Sequence, residues 1–362
     1  MQRSCTVRQD KTVTFMDHRQ RRKWQPLISF GIAALLLALF FFITIGTWKM
    51  IMPSTTRGMQ IPEPTPDELK AAEQLQKDVR FLASDIGERN VFRAGTMDRT
   101  VEWLLMRFEE TGYQPVIQEY SLRGTARNYD QGVSKNIIAE ISGYKKPDKI
   151  LVIGAHYDSV YGSPGANDNA SGIAVLISLA KYFSGNPQQA TLRFVAFANE
   201  EPPFFQTVNM GSYAYAELAA GNKEQIFAMI ALDGLGYFSE SIGSQKYPVP
   251  GIGLVYPKTA NFIGFVTRFK DMSLLRKATE AFRKKASIPS EAAALPSIVP
   301  GAAWSDHWSF WQHGFPGLLI TDTLLFRDSA YHTAHDTPER LDYENMARVV
   351  IGLREVIKDL AN

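Results

Sequence analysis

Glu200 and Glu201 stand side by side at the end of an apolar run, Phe194–Phe197, and Pro202 and Pro203 follow at once. Like charges at the end of a buried strand repel unless a cation sits between them. Other apolar runs end the same way. ILVIGA (150–155) runs into His156 and Asp158, and FAMIAL (227–232) runs into Asp233. Asp168 lies in the small-residue loop SPGANDNASG (163–172), and AYHTAHDT (330–337) holds His332, His335 and Asp336. Taken singly, each has a plain reading: Asp168 as a helix N-cap, a strand-terminal His or Asp as a turn residue. Their coincidence at successive strand ends points instead to a shared divalent ion. The side chains His, Asp and Glu are zinc ligands, and a pair of zinc ions about 3.5–4 Å apart needs a bridging carboxylate plus terminal ligands. HExxH is absent and there is no CxxC, since Cys5 is the single cysteine. Ser305, Asp306 and His307 are consecutive, so their side chains diverge and cannot form a nucleophilic triad.

These residues need elements to bring them together. Thr65-Pro66-Asp67-Glu68 has capping-box spacing with proline at the first helical position, so a helix is expected over 66–84. A second is expected over 95–112, where Val101, Leu104, Leu105 and Phe108 recur at helical spacing. Strand-like runs follow at 115–120, 136–141 and 149–155. The pattern then alternates: helix 170–183, strand 191–197, helix 212–220, strand 226–232, two helical stretches within 259–285, strand 317–321 and helix 343–360. Near-continuous apolar strands separated by helices predict an α/β fold with a mixed, largely parallel sheet covered on both faces. Ligands bind such sheets beyond the carboxyl ends of the strands, where the acidic and imidazole groups fall.

The chain has 362 residues, 45% hydrophobic and 21% charged, as a globular protein does. Its net charge of +2 is unevenly placed: residues 1–49 carry +6 and the rest −4. A mildly acidic main domain argues against nucleic acid as a partner. Residues 27–48 (LISFGIAALLLALFFFITIGTW) hold no charge and are long enough to cross a bilayer as a helix. The basic residues cluster before them, which predicts a cytoplasmic N-terminus and an extracytoplasmic main domain. The expected organisation is a basic tail (1–25), a transmembrane helix (26–48), a proline-rich linker (49–65) and a catalytic domain (66–362).

GAHYDS (154–159), NDNASG (167–172), NEE (199–201), LDG (232–234), SDH (305–307) and HTAHDT (332–337), in this order, resemble the M28 family of zinc peptidases. The likeness covers about residues 68–360. It implies the zinc exopeptidase fold and two zinc ions. His156 and Asp233 would be terminal ligands of one, Glu201 and His332 of the other, and Asp168 would bridge them. By the same resemblance Glu200 is the general base: it takes a proton from water acidified by the zinc pair and passes it to the leaving amine. The family pattern favours His332 over His335. It implies a cis peptide at Asp168-Asn169, a second layer of contacts from Asp158 and Asn169, and second-layer or substrate contacts from Asp306 and His307.

The expected function is an aminopeptidase acting on peptide or protein N-termini, tied to the lipid bilayer. Two other readings are a glutaminyl-cyclase-like acyl transferase, similar but built on one zinc, and a non-catalytic binding domain of the same fold. Presence of every ligand type weighs against both. Of the aromatic residues near the motifs (Phe204, Phe205, Trp304, Trp308, Trp311, Phe326 and Tyr331), most are expected in the core and one or two around a substrate side chain.

Overall fold

The computed structural model describes residues 51–52, 61–129 and 132–362. The basic tail, the uncharged segment 27–48 and most of the linker lie outside the described residues. Among those described, no helix is long and apolar enough to cross a membrane.

One nine-stranded sheet organises the domain. Its strands are β1 (Ile51–Met52), β2 (Val116–Ser121), β3 (Val133–Ile141), β4 (Lys146–His156), β5 (Ala190–Phe197), β6 (Gln225–Leu232), β7 (Ile263–Thr267), β8 (Ser290–Ala294) and β9 (Gly317–Thr321). The helices are α1 (Pro66–Arg80), α2 (Thr96–Glu110), α3 (Gly172–Phe183), α4 (Gly211–Gly221), α5 (Met272–Arg283), α6 (His307–Gln312) and α7 (Tyr343–Ala361). The strand order is β1-β8-β7-β9-β6-β4-β5-β3-β2. The centre, β9-β6-β4-β5, is parallel. The flanks are not: β1 on β8, β7 on β9, β3 on β5 and β2 on β3 are antiparallel. The sheet is therefore mixed, and its parallel character is confined to the centre and the β7–β8 pair.

Alternation along the central strands feeds two cores. Leu151, Ile153 and Ala155 of β4 enter the larger one, with Leu75 of α1, Leu104 of α2, Leu176 of α3, Phe282 of α5 and Val350 of α7. Ile150 and Val152 point the other way, to Tyr215 and Ala216 of α4 and Phe310 of α6. A register shift between β4 and β6 near Ile226 lets Ile226 and Met229 share the smaller core while Ala228 enters the larger.

The capping box at α1 is present: Glu68 N donates to Thr65 Oγ1 at 3.2 Å and Thr65 N donates to Glu68 Oε2 at 2.7 Å. One expectation fails. Only one helix occupies 259–285, because IGFVT pairs as strand β7. SEAAA forms β8, although alanine favours helices. There, pairing with β7 on one side and β1 on the other overrides local preference. β1 itself lies inside the stretch read as a linker.

Candidate metal centre

Five side chains from five segments meet beyond the carboxyl ends of the central strands. His156 is the last residue of β4 and Asp233 directly follows β6. Glu201 follows β5 across a kink at Asn199, whose φ of 57° is a left-handed value that asparagine tolerates. Asp168 sits in the irregular turn before α3, where the Asp168-Asn169 peptide is cis, as is Pro202-Pro203. His332 comes from the loop after β9, at φ 59°.

The five form two groups that share Asp168. In one, His156 Nε2 lies 3.2 Å from Asp168 Oδ1 and 3.5 Å from Asp233 Oδ1. In the other, His332 Nε2 lies 3.1 Å from Asp168 Oδ2 and 3.3 Å from Glu201 Oε2. Within each group the nearest ligand atoms are all within 4.8 Å of one another, as coordination of an ion requires. His156 Nε2, Asp233 Oδ1 and Glu201 Oε1 are buried without a hydrogen-bond partner. Buried polar atoms are normally paired, so these orphans fit a metal. Imidazole nitrogen with carboxylate oxygen is a zinc donor set. Glu200 Oε1 is likewise buried and unpaired, but Glu200 belongs to neither group.

Contacts behind these residues hold them. The Asp158 carboxylate accepts from the backbone N–H of Glu200 and of Glu201, each at 3.0 Å. His156 Nδ1 lies 3.2 Å from the Asp158 carbonyl and 3.4 Å from its Oδ1. One residue therefore fixes both the imidazole and the acidic pair. Asn169 Oδ1 accepts from Gly172 N and Gly234 N, and its Nδ2 donates to the Leu232 carbonyl, which ties the Asp168 turn to the end of β6. A Cβ at Gly172 would overlap Asn169 Oδ1 and stand 2.6 Å from the Leu232 oxygen, so only glycine fits this approach.

Three supporting residues escape a reading of the sequence. Asp336 accepts from Asn167 N at 2.8 Å and Asp168 N at 3.1 Å; it stood in the HTAHDT motif without a role. Asp322 follows β9 and accepts from Asn167 Nδ2 and Tyr237 N; the strand-end signal that found Asp233 was available for it too. Arg89 is fully buried and donates to the carbonyls of Leu82, Gly87, Tyr157, Pro164 and Gly165. Nothing in its local sequence marks it. Burial lowers its guanidinium to about 10, against the pull of the Asp336, Asp158, Asp168 and Glu201 charges.

Without an ion the electrostatics are tense. Burial drives Glu200 well above the usual carboxylate range, with the neighbouring Glu201 and Asp233 charges adding to it. Burial, then the Asp168 charge, pushes Glu201 up to about 7. Asp168 goes the other way: burial opposes ionisation, but the His156 and His332 imidazoles hold it below its ordinary value. Burial would lower His332, yet its contacts with Asp168 and Glu201 raise it to about 10. A crowd of acids that ionises only by borrowing protons onto imidazoles is one that divalent cations relieve.

Other expected residues fall differently. Asp306 and His307 join neither group. Both are buried; burial pushes Asp306 up to about 7 and His307 down to about 4, and His307 Nε2 donates to the Ala302 carbonyl. His335 is exposed. Phe204 and Trp311 are core residues. Three aromatics, Trp304, Phe326 and Tyr331, line a cavity of about 120 Å³ that reaches Asp233, with Phe262, Val266 and Leu319 among its apolar walls. Tyr331 also stacks on His332, ring centroids 3.8 Å apart.

A buried His/carboxylate cluster at the strand ends of an α/β sheet, beside an apolar cavity, is the layout of a metal-dependent hydrolase. Comparison makes the class particular. Residues 136–357 match the model of peptidase family M28, and the chain belongs to that family. It is 34% identical over 314 residues to the uncharacterized protein YfbL of Escherichia coli, covering 84% of this chain and 90% of that one. It is 27% identical over 300 residues to a probable leucine aminopeptidase of Trichophyton verrucosum, covering 77% and 71%. The fold matches the Bacillus subtilis zinc aminopeptidase BSAP (TM-score 0.61, 14% identity, 84% of this chain and 97% of that one). It also matches LapB of Legionella pneumophila (TM-score 0.62, 22% identity, 83% and 77%). The chain is a zinc-dependent metallopeptidase of aminopeptidase type.

Proposed function

We propose that the protein is a dizinc aminopeptidase, anchored in a bilayer by residues 27–48, with its N-terminus cytoplasmic and its catalytic domain on the far side. One observation carries the catalytic part: two ligand groups share the Asp168 carboxylate. That arrangement supports His156 and Asp233 on one ion, Glu201 and His332 on the other, and Asp168 on both. The uncharged segment and its basic N-terminal flank support the anchor.

Zinc, when bound, supplies a Lewis acid for the scissile carbonyl and acidifies a water. The protein's own groups do the rest. Glu200, buried and outside both ligand groups, accepts the water proton and delivers it to the leaving amine. Asp158 keeps Glu200 and Glu201 at their stations through the two backbone bonds. The cavity takes the first side chain of the substrate. At about 120 Å³ it is on the scale of the roughly 150 Å³ apolar cavity that admits benzene, which suits a leucine-sized residue. The name of the Trichophyton relative agrees with that preference.

The test pairs zinc quantification of the purified full chain with a substrate panel. Two zincs per chain, release of the first residue from leucyl amides and peptides, and no cleavage of N-blocked peptides are expected. Release from the carboxyl end would overturn the aminopeptidase reading. Pyroglutamate in place of free glutamine from a Gln-initiated peptide would favour the cyclase. Glu200→Gln is expected to keep its zinc and lose about 10²–10⁴ in rate; full activity with zinc retained would remove Glu200 from its role.

A further inference from the structure

The three most exposed large apolar side chains among the described residues are Ile242 (92%), Ile298 (89%) and Leu254 (85%). A single exposed apolar residue needs no explanation, but three on the loops that wall one cavity do. These three lie on two loops, 241–259 and 295–301, that also contribute Ile252, Tyr256, Pro300 and Gly301 to the cavity wall. Both loops are tied to the β8 side of the sheet. Tyr256 Oη donates to the Ala292 carbonyl at 2.7 Å, and Leu295 N donates to the Thr267 carbonyl where β8 ends. Ile242 bridges to Thr259 and so stays with the same loop base.

Charge on this face is also distinctive. Residues 241–259 contain Lys246 and Lys258 and no acidic group; residues 292–305 contain no charge. Both lysines are exposed. The chain beyond residue 49 is otherwise net acidic. An apolar rim whose loops carry two lysines, with the one nearby exposed carboxylate, Glu240, hydrogen-bonded by Asn261 Nδ2, complements an anionic lipid surface.

The chain outside the described residues says what covers it. β1 is the edge strand on β8, antiparallel, with Ile51 opposite Ala293 and Met52 opposite Ala292. The backbone entering β1 therefore comes from the carboxyl end of β8, from which the turn bearing Ile298 departs. Only Lys49 and Met50 separate the uncharged segment from β1. Three peptide steps span at most about 11 Å, against a headgroup zone itself about 5–8 Å deep on each side. The β1–β8 edge is thus the part of the domain joined to residues 27–48 by the shortest stretch of chain.

We propose that the face framed by Ile242, Leu254 and Ile298 docks on the lipid surface. The three side chains enter the headgroup–acyl boundary, and Lys246 and Lys258 meet anionic headgroups. The cavity then opens at the membrane, and its substrates are N-termini presented there. This rests on the anchor reading above.

The test uses the full chain, in a Cys5→Ser background, reconstituted in vesicles of phosphatidylethanolamine and phosphatidylglycerol. Nitroxide labels are placed singly at Ile242→Cys, Leu254→Cys and Ile298→Cys. Val116→Cys, 61% exposed on the opposite edge strand β2, is the aqueous control, and Leu36→Cys reports on the uncharged segment. The three loop labels are expected to show oxygen access several-fold above the control and nickel-chelate access several-fold below it. If Leu36 reads as lipid and the three match Val116, the docking face is wrong and the anchor stands. If the three exclude both probes, a second copy covers the face and lipid docking is overturned. If Leu36 reads as aqueous, the anchor fails and docking with it.

Discussion

The two halves of the metal centre are built differently. His156 and Asp233 end β4 and β6, parallel neighbours whose ladder pairs Gly154 with Ala231 just before them. Backbone hydrogen bonds set their separation, and both side chains are sealed from solvent. Glu201 and His332 come from two loops. His332 keeps a side-chain exposure of 30% and a left-handed backbone, and is steadied by stacking on Tyr331. One half is positioned by the sheet whether or not an ion is present; the other depends on local props. Solvent reaches the centre at His332, the most exposed of the five side chains.

Asp168 belongs to both halves, so Asp168→Asn is expected to have the largest effect. Bound zinc should fall well below one per chain and activity to background, measured by elemental analysis beside a leucyl-amide assay. A variant that keeps two zincs would dissolve the idea of a shared carboxylate. Next come the two imidazoles, which should separate the halves. His156→Ala leaves buried carboxylates unpaired and should destabilise the metal-free fold by about 3–5 kcal/mol. His332→Ala also takes an imidazole from the Asp168 and Glu201 carboxylates, but at a side chain 30% exposed water can take its place, so a smaller loss of stability is expected while metal is still lost. Urea unfolding in a chelator measures both, and equal losses would refute the contrast.

Asp158→Asn replaces one of the two carboxylate oxygens that accept the Glu200 and Glu201 backbone N–H groups. It is expected to lower metal affinity or activity about 10–100-fold, with the Glu201–His332 half losing its ion first on chelator titration. Simultaneous loss from both halves would count against independent support. The smallest effect is on pH. Burial raises Asp306 and Asp336 to about 7, as it does Glu201. A carboxyl whose folded value exceeds its unfolded one binds its proton more tightly when folded, so stability falls as pH rises from about 4 to 7. His332, raised to about 10, continues the decline from about pH 6.5 to 10. The chelated protein should melt a few degrees lower at pH 8 than at pH 5, and zinc should narrow the gap. Equal melting temperatures in chelator would contradict these shifts.

Much of this architecture was legible in the chain. Thr65 to Glu68 announced α1, and the apolar runs ending at His156 and Asp233 announced β4 and β6. Where local pattern and pairing disagree, pairing wins: IGFVT, expected within a helical stretch, is a strand because β8 and β9 flank it on the sheet. Asp322 obeyed the strand-end rule and was passed over. Arg89 obeyed no rule, since its partners are carbonyls of backbone up to 76 positions away.

By itself, the order of residues determined which groups stand at strand ends, and hence that an acid-rich, imidazole-bearing cluster would form. That follows from period-two burial and strand direction, which are local. The shared Asp168 was implied by the family resemblance; the tertiary structure alone decided that Asp158 serves a histidine and two glutamates at once, and that the Ile298 turn departs where β1 enters. Those are distances between segments far apart in the chain, and closing such distances is the work of packing rather than of local preference.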